Sequence, residues 1–188
     1  LVSVNEQHKL VFKEHLQVVH LEKNELWEKE GSIATHAGFV NKGIIRQFYQ
    51  KDGDEFTDKF YKERDFLGNF ESFILQEPSK YQTQAVEPCE ILLFPIAVIQ
   101  SMSATYPEME RVSENVRNKK MFALTDRNES FLLESPEERY YNFVKKNPEL
   151  VNRVPQYMIA QYLGIRPESL SRIRVEKNKN NQLVSTIS

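Results

Sequence analysis

Five of the six glycines lie between residues 31 and 68, and the sixth, Gly164, follows a glycine-free stretch of 95 residues. A chain that turns on glycine early and then avoids it divides into a β-rich part and a helical part. From about residue 16 to 95, short runs are punctuated by Gly31, Gly38, Gly43, "KDGDE", Gly68 and "EPS". Alternation is visible in "IIRQFYQ" and in "YQTQAVE", where Tyr81, Thr83 and Ala85 share one face and Gln82 and Gln84 the other, the period-two pattern of half-buried strands. "CEILLFP" is continuously apolar, as suits a strand covered on both faces, and Pro95 ends it. Many short strands at this spacing favour a sandwich or barrel.

After Pro95 the periodicity becomes helical, first in "IAVIQSMSAT" and then from Pro107, which suits a first helical turn, to Glu134. The second helix would span on the order of 40 Å, too long and too polar to be buried in one small domain. Met109, Val112, Val116 and Ala123 lie near one stripe, with Met121, Leu124 and Phe131 offset from it. The stripe reads as a dimer seam, although Lys119 and Lys120 interrupt the heptad and packing on the chain's own β domain is the alternative. A new unit opens at "SPEERYYNFVKKNPEL", with Ser135 as N-cap, Pro136 at the first helical position and Glu138 completing a capping box.

"IAQYLGIRPESLSRIR" then reads as helix, turn, helix. Ala160 is small where a second helix would cross, Gly164 permits the sharp turn, Ile165 plugs the corner and Pro167 starts the next helix. Leu170 and Ile173 fall three apart on an inward face, leaving Glu168, Ser169, Arg172 and Ser171 outside. Arginine can bond O6 and N7 of guanine in the major groove, glutamate can accept from cytosine N4, and serines reach bases or phosphates. The alternative is a surface pair between Glu168 and Arg172, worth only ~0.3 to 0.5 kcal/mol.

Charge alone fits a basic module for an anionic partner and an ordinary solvated face about equally. Residues 1–135 carry 16 Lys+Arg against 22 Asp+Glu, and residues 136–188 carry 9 against 5, so a chain of net charge −2 keeps a basic C-terminal end. Arg153, Arg166, Arg172, Arg174, Lys177 and Lys179 outnumber Glu168 and Glu176 there, as a phosphate-binding module requires. The single Cys89 excludes an internal disulfide and an iron–sulfur cluster held by this chain's own thiolates, and reads as a small buried hydrophobe. With no apolar run long enough to span a membrane and no signal-peptide layout at the start, a cytoplasmic location is the expectation. The four histidines, His8, His15, His20 and His36, form no H-x-H pair, so a metal-dependent jelly-roll (cupin-like) enzyme is disfavoured and no metal or resident cofactor is expected.

This order of β-rich domain, long helix and "IAQYLGIRPESLSRIR" resembles the Crp/Fnr family of bacterial transcription regulators, named for the cyclic-AMP receptor protein and the fumarate–nitrate-reductase regulator. The tail "SPEERYYNFVKKNPELVNRVPQYMIAQYLGIRPESLSRIR" is similar to a branch of that family common in Bacteroidetes. The resemblance implies an α+β protein with three parts. Residues 1–106 would form a jelly-roll (double-stranded β-helix) sensor domain of cyclic-nucleotide-binding type, 107–134 a dimerisation helix and 135–188 a winged helix-turn-helix. It implies a homodimer on a palindromic double-stranded DNA operator, with RNA polymerase as a further partner. Glu168 and Arg172 fall at the family's base-reading positions, and a third, commonly arginine, is Pro167 here. Arg166, Ser169, Ser171, Arg174 and Lys177 become backbone or accessory contacts, and the short tail "NKNNQLVSTIS" leaves the wing open.

The family's nucleotide cassette runs Gly-Glu and, about ten residues on, an arginine followed by a small residue. Aligned on Gly68, Asn69 replaces the glutamate and Ser79 the arginine. Losing an arginine opposite a phosphate removes a contact worth ~1.5 to 3 kcal/mol. Cyclic AMP is therefore expected to bind poorly, if at all, in the usual way. Lys80 and Glu71 offer substitute charges if the loop slips in register. A different small-molecule effector, or a dimer controlled by its own abundance, are the remaining alternatives, beside a sensor acting only through protein partners.

Overall fold

The computed structural model describes residues 6–176. A helix, α1 (Glu6–His15), leads into eight strands: β1 (Gln17–Leu21), β2 (Leu26–Glu28), β3 (His36–Lys42), β4 (Ile45–Lys51), β5 (Asp54–Tyr61), β6 (Phe66–Leu67), β7 (Gln82–Ala85) and β8 (Cys89–Pro95). One short helix, α2 (Phe70–Leu75), interrupts them. They build two antiparallel sheets, ordered β1-β8-β3-β6 and β2-β7-β4-β5, the double sheet of a jelly roll. Leu21, Val40, Ile45, Tyr61, Leu67, Ala85, Cys89, Ile91 and Leu93 fill the space between the sheets. Cys89 belongs to this core, and burial pushes its thiol up to about 11. β8 lies inside its sheet between β1 and β3, with Cys89, Ile91 and Leu93 buried and Leu92 and Phe94 half-buried, so its second face is covered only in part.

Gly43, between β3 and β4, has φ +96°, and a Cβ there would stand 2.6 Å from Cys89 Sγ and 2.7 Å from the Pro88 carbonyl oxygen. Only glycine lets the chain cross this close to β8.

The helices follow without a break in packing. α3 (Ile96–Thr105) and α4 (Pro107–Leu133) meet through the hydroxyls of Ser103 and Ser113, 2.7 Å apart. α5 (Pro136–Lys146) opens on a complete capping box: the Ser135 N–H donates to Glu138 and the Glu138 N–H donates to Ser135 Oγ. α6 (Pro148–Arg153), α7 (Gln156–Leu163) and a last helix, α8, at residues 167–176 complete the description.

The C-terminal helices are not a separate body. Phe60 of β5, with Ile44 just before β4 and Val86 just after β7, shares one apolar cluster with Phe143, Leu150, Val154, Met158, Ile159 and Leu163. This corrects the alternation expected in "IIRQFYQ". Residues 44–48 are all buried: Ile45 fills the roll, Ile44 meets the C-terminal helices, and Arg46 bonds to Gln84 and Glu55 while lying over the Phe48 ring.

Candidate nucleic-acid interface and a closed effector cassette

Ala160 is fully buried at the helix crossing and Ile165 seals the corner. Gly164 ends α7 at φ 62°, ψ 36°, with its N–H on the carbonyls of Ala160 and Gln161. Left-handed geometry is one reason for glycine here. The second is Phe131 of α4, whose ring edge would stand 2.7 Å from a Cβ at 164. That ring lies between the guanidiniums of Arg127 and Arg139, 5.4 and 5.2 Å from its centroid, and Arg127 also covers Tyr162 at 5.0 Å. Arg139 in turn donates to the carbonyls of Leu163 and Glu134. The turn of the helix pair is thus held by the end of the long helix. The sequence carried a signal for this in Phe131, which stood off the main stripe.

Leu170 and Ile173 are buried and fix α8 by its inner side. Glu168, Ser171, Arg172, Arg166 and Arg174 are exposed and Ser169 half-buried. Among the described residues no hydrogen bond or ion pair engages the side chains of Glu168, Ser169, Ser171 or Arg172. The surface pair between Glu168 and Arg172 is not formed. What remains is a short helix presenting a carboxylate, hydroxyls and a guanidinium outward, the donor and acceptor set that base edges match. Lys177, Lys179 and the wing segment "NKNNQLVSTIS" lie outside the described residues.

Arg153 does not belong to this surface. Its fork donates to both oxygens of Glu63, from Nη1 at 3.0 Å and from Nη2 at 2.7 Å, and its Nε and Nη2 donate to Glu87. The expected phosphate contact at this position is therefore corrected to a contact within the chain. The guanidinium holds the Glu63 carboxyl down near 2.

In the cassette the two substituted positions meet. Asn69 and Ser79 are 5% and 3% exposed, and the Asn69 amide donates to Ser79 Oγ at 3.0 Å. The other end of the amide caps α2, Asn69 Oδ1 accepting from the Ser72 N–H, while Ser79 Oγ donates to the Tyr81 carbonyl. The cavity bounded by these residues, Tyr49 and Tyr81 has about 30 Å³, room for about one water. Lys80 and Glu71 line the outer part of this cavity and pair with each other there, 3.4 Å apart and mostly in water.

Between this cassette and α4 lies a buried polar group. Lys120 donates to the Gly68 carbonyl at 3.3 Å and stands 5.4 Å over the Phe70 ring. Burial lowers its ammonium to about 8 and raises Glu28, 8% exposed with Oε2 lacking a hydrogen-bond partner, to about 7. Lys120, read as interrupting a seam, is turned toward Gly68 and Phe70 of the protein's own β domain.

The residues of the expected seam differ in their surroundings within the single chain. Met109 is 5% exposed within the single chain, and Val112 and Val116 are half-buried on the same face as the Ser113, Lys120 and Arg127 contacts. Ala123 is exposed. The uncovered apolar side chains of α4 are Met121, Phe122, Leu124, Phe131, Leu132 and Leu133. No described helix is long and apolar enough to cross a membrane. Among the described residues no three of His, Cys, Asp and Glu gather as a metal site.

Residues 18–106 match the family model of the cyclic nucleotide-binding domain. No curated protein matches the sequence. Among solved structures, FixK2 from Bradyrhizobium japonicum superposes with a TM-score of 0.78 at 15% identity, over 88% of this chain and 86% of its own. The c-di-GMP responsive global regulator CLP of Xanthomonas campestris gives 0.74 at 14%, over 94% and 93%. A crp/fnr-family protein of Eubacterium rectale gives 0.73 at 16%, over 94% and 85%. Residues 18–106 are thus similar to the cyclic nucleotide-binding domain, and the chain as a whole has the fold of these Crp/Fnr-like solved structures.

Proposed function

We propose that the protein is a sequence-specific regulator of transcription. It binds double-stranded DNA as a homodimer and does not answer to cyclic AMP in the usual way. The observation that carries this reading is the uncommitted outer face of α8, with Glu168 and Arg172 aimed at solvent from a helix locked by Leu170 and Ile173. Each subunit offers one such helix, and a two-fold dimer sets the pair about one helical turn (~34 Å) apart on a palindrome. RNA polymerase would be met after that docking.

The dimer forms through the uncovered side of α4. Met121, Leu124, Asn128 and Leu132 follow a three-and-four spacing along one line, and the apolar three among them are well exposed in the single chain. Asn128 inside that line is a polar position of the kind that fixes register.

The Asn69–Ser79 hydrogen bond and the ~30 Å³ left beside it argue against cyclic AMP, because small-ligand pockets run from about 300 Å³ upward. The test is selection of bound duplexes from a random library, followed by affinity against salt and calorimetry with cyclic AMP and cyclic GMP. A palindromic consensus with a steep salt dependence is the expected result. A monomer that prefers no duplex over heparin, acting through protein partners alone, would contradict it, and a tight cyclic-AMP isotherm would overturn the cassette argument.

A further inference from the structure

We propose that Arg153 is a positioning residue. By clamping Glu63 and Glu87 it sets the angle of the DNA-reading helices on the sensor sheet, and through that angle the operator spacing each dimer accepts. This inference rests on the DNA-binding reading above and adds to it what determines the geometry of the site.

The two units meet through two kinds of contact with different physics. The shared cluster of Ile44, Phe60 and Val86 with the C-terminal helices supplies adhesion, but apolar burial is non-directional and tolerates small rotations. Direction comes from the polar contacts around its edge. Thr57 Oγ1 donates to Gln161 Oε1 at 2.8 Å, Lys62 pairs with Glu149, and Arg127 donates to Asp58 and to the Tyr162 carbonyl. Arg153 is the most constrained of these, since its planar fork engages both oxygens of one carboxylate and a second carboxylate as well.

Its partners are themselves fixed. Glu63 follows β5 and Glu87 follows β7, and Glu63 Oε1 also accepts from the N–H of Gly43, the crowded turn against Cys89. One guanidinium at the end of α6 therefore ties three turns at one end of the roll to the reading unit. Arg153, Glu63 and Glu87 are about a third exposed, so water weakens the pairing energy, and the clamp acts on orientation more than on stability.

The experiment measures the affinity of the full-length dimer for palindromes whose half-site spacing is changed in single base-pair steps. The wild type is compared with Arg153→Ala and with Arg153→Lys, which keeps the charge and loses the fork. The wild type is expected to prefer its best spacing about tenfold over the neighbouring one. Arg153→Ala should reduce that ratio to about twofold, Arg153→Lys should fall between, and the preferred half-site sequence should stay the same. A variant with unchanged spacing preference, whatever its overall affinity, overturns the proposal. Should Arg153→Ala fail to fold, the lysine variant decides alone, and wild-type sharpness in it is equally fatal. A wild type that binds no palindrome removes the regulator reading itself, a failure seen before any variant is made.

Discussion

Residues 69–80 and 166–176 are two polar stretches built from similar parts, each with Glu, Ser, Pro and at least one cation, and the fold uses them in opposite ways. In the first, Asn69 and Ser79 turn inward and satisfy each other, and two of the three charges, Glu71 and Lys80, pair at the rim. In the second, Leu170 and Ile173 take the inside, Ser169 is half-buried, and Glu168, Ser171 and Arg172 are left outside without a partner among the described residues. Polar composition alone thus decides nothing about binding. What matters is whether the chain itself supplies the partner, because a group already satisfied at burial has little to offer a ligand.

Substitutions can break that contrast from either side. The largest effect is expected at the outward stretch, where Arg172→Ala should cost ~1 to 3 kcal/mol of affinity and relax base choice at one operator position, with the melting temperature unmoved. Arg174→Ala, by contrast, should weaken all sequences about equally. If both variants lost affinity uniformly across a library, the reading face would be misassigned.

The inward stretch should answer in stability. Asn69→Ala removes the cap of α2 and the partner of Ser79, and is expected to lower unfolding free energy by ~1 to 2 kcal/mol, with operator affinity per folded molecule intact. Denaturant titration with a binding assay on the same sample separates the two.

Nearby, Glu28 sharpens the contrast through pH. Its folded carboxyl titrates near 7, above the usual carboxylate value, so the native state holds a proton that the unfolded state has released. The wild type is penalised progressively as pH rises from about 4.5 to about 7. Glu28→Gln should match it at pH 4 and exceed it at pH 7.5, by on the order of 1 kcal/mol. An equal difference at both pH values would show that Glu28 is not held neutral. The smallest effect is expected at the rim, where Lys80→Ala should change stability by less than about 0.5 kcal/mol because both partners of that pair are mostly in water.

What the sequence disclosed was local. Gly164, Ile165, Leu170 and Ile173 define the helix pair by spacing within one segment, and Ser135 with Glu138 defines its start, so those features could be read before any fold was known. Turn residues and strand length likewise pointed to a sandwich or barrel, and the jelly roll itself came from the family resemblance. What stayed hidden depends on partners distant in the chain. Arg153 reads as one more cation until Glu63 and Glu87 are seen beside it. The stripe of Met109, Val112 and Val116 marks an apolar face, but periodicity does not say whether the neighbour is another subunit or the chain's own domain. α2 was missed because Asn69 was weighed as a lost ligand contact, not as a cap.

The ring of Phe131 resting on Gly164 carries a consequence for descent. Position 164 refuses a side chain on two independent grounds, its backbone angle and the aromatic ring above it. Smaller residues at 131 would lift only the second. Kindred sequences should therefore be free to shrink the ring while keeping the glycine, yet never to lose the glycine while keeping the ring, a one-way dependence that a census of such pairs would reveal or refute.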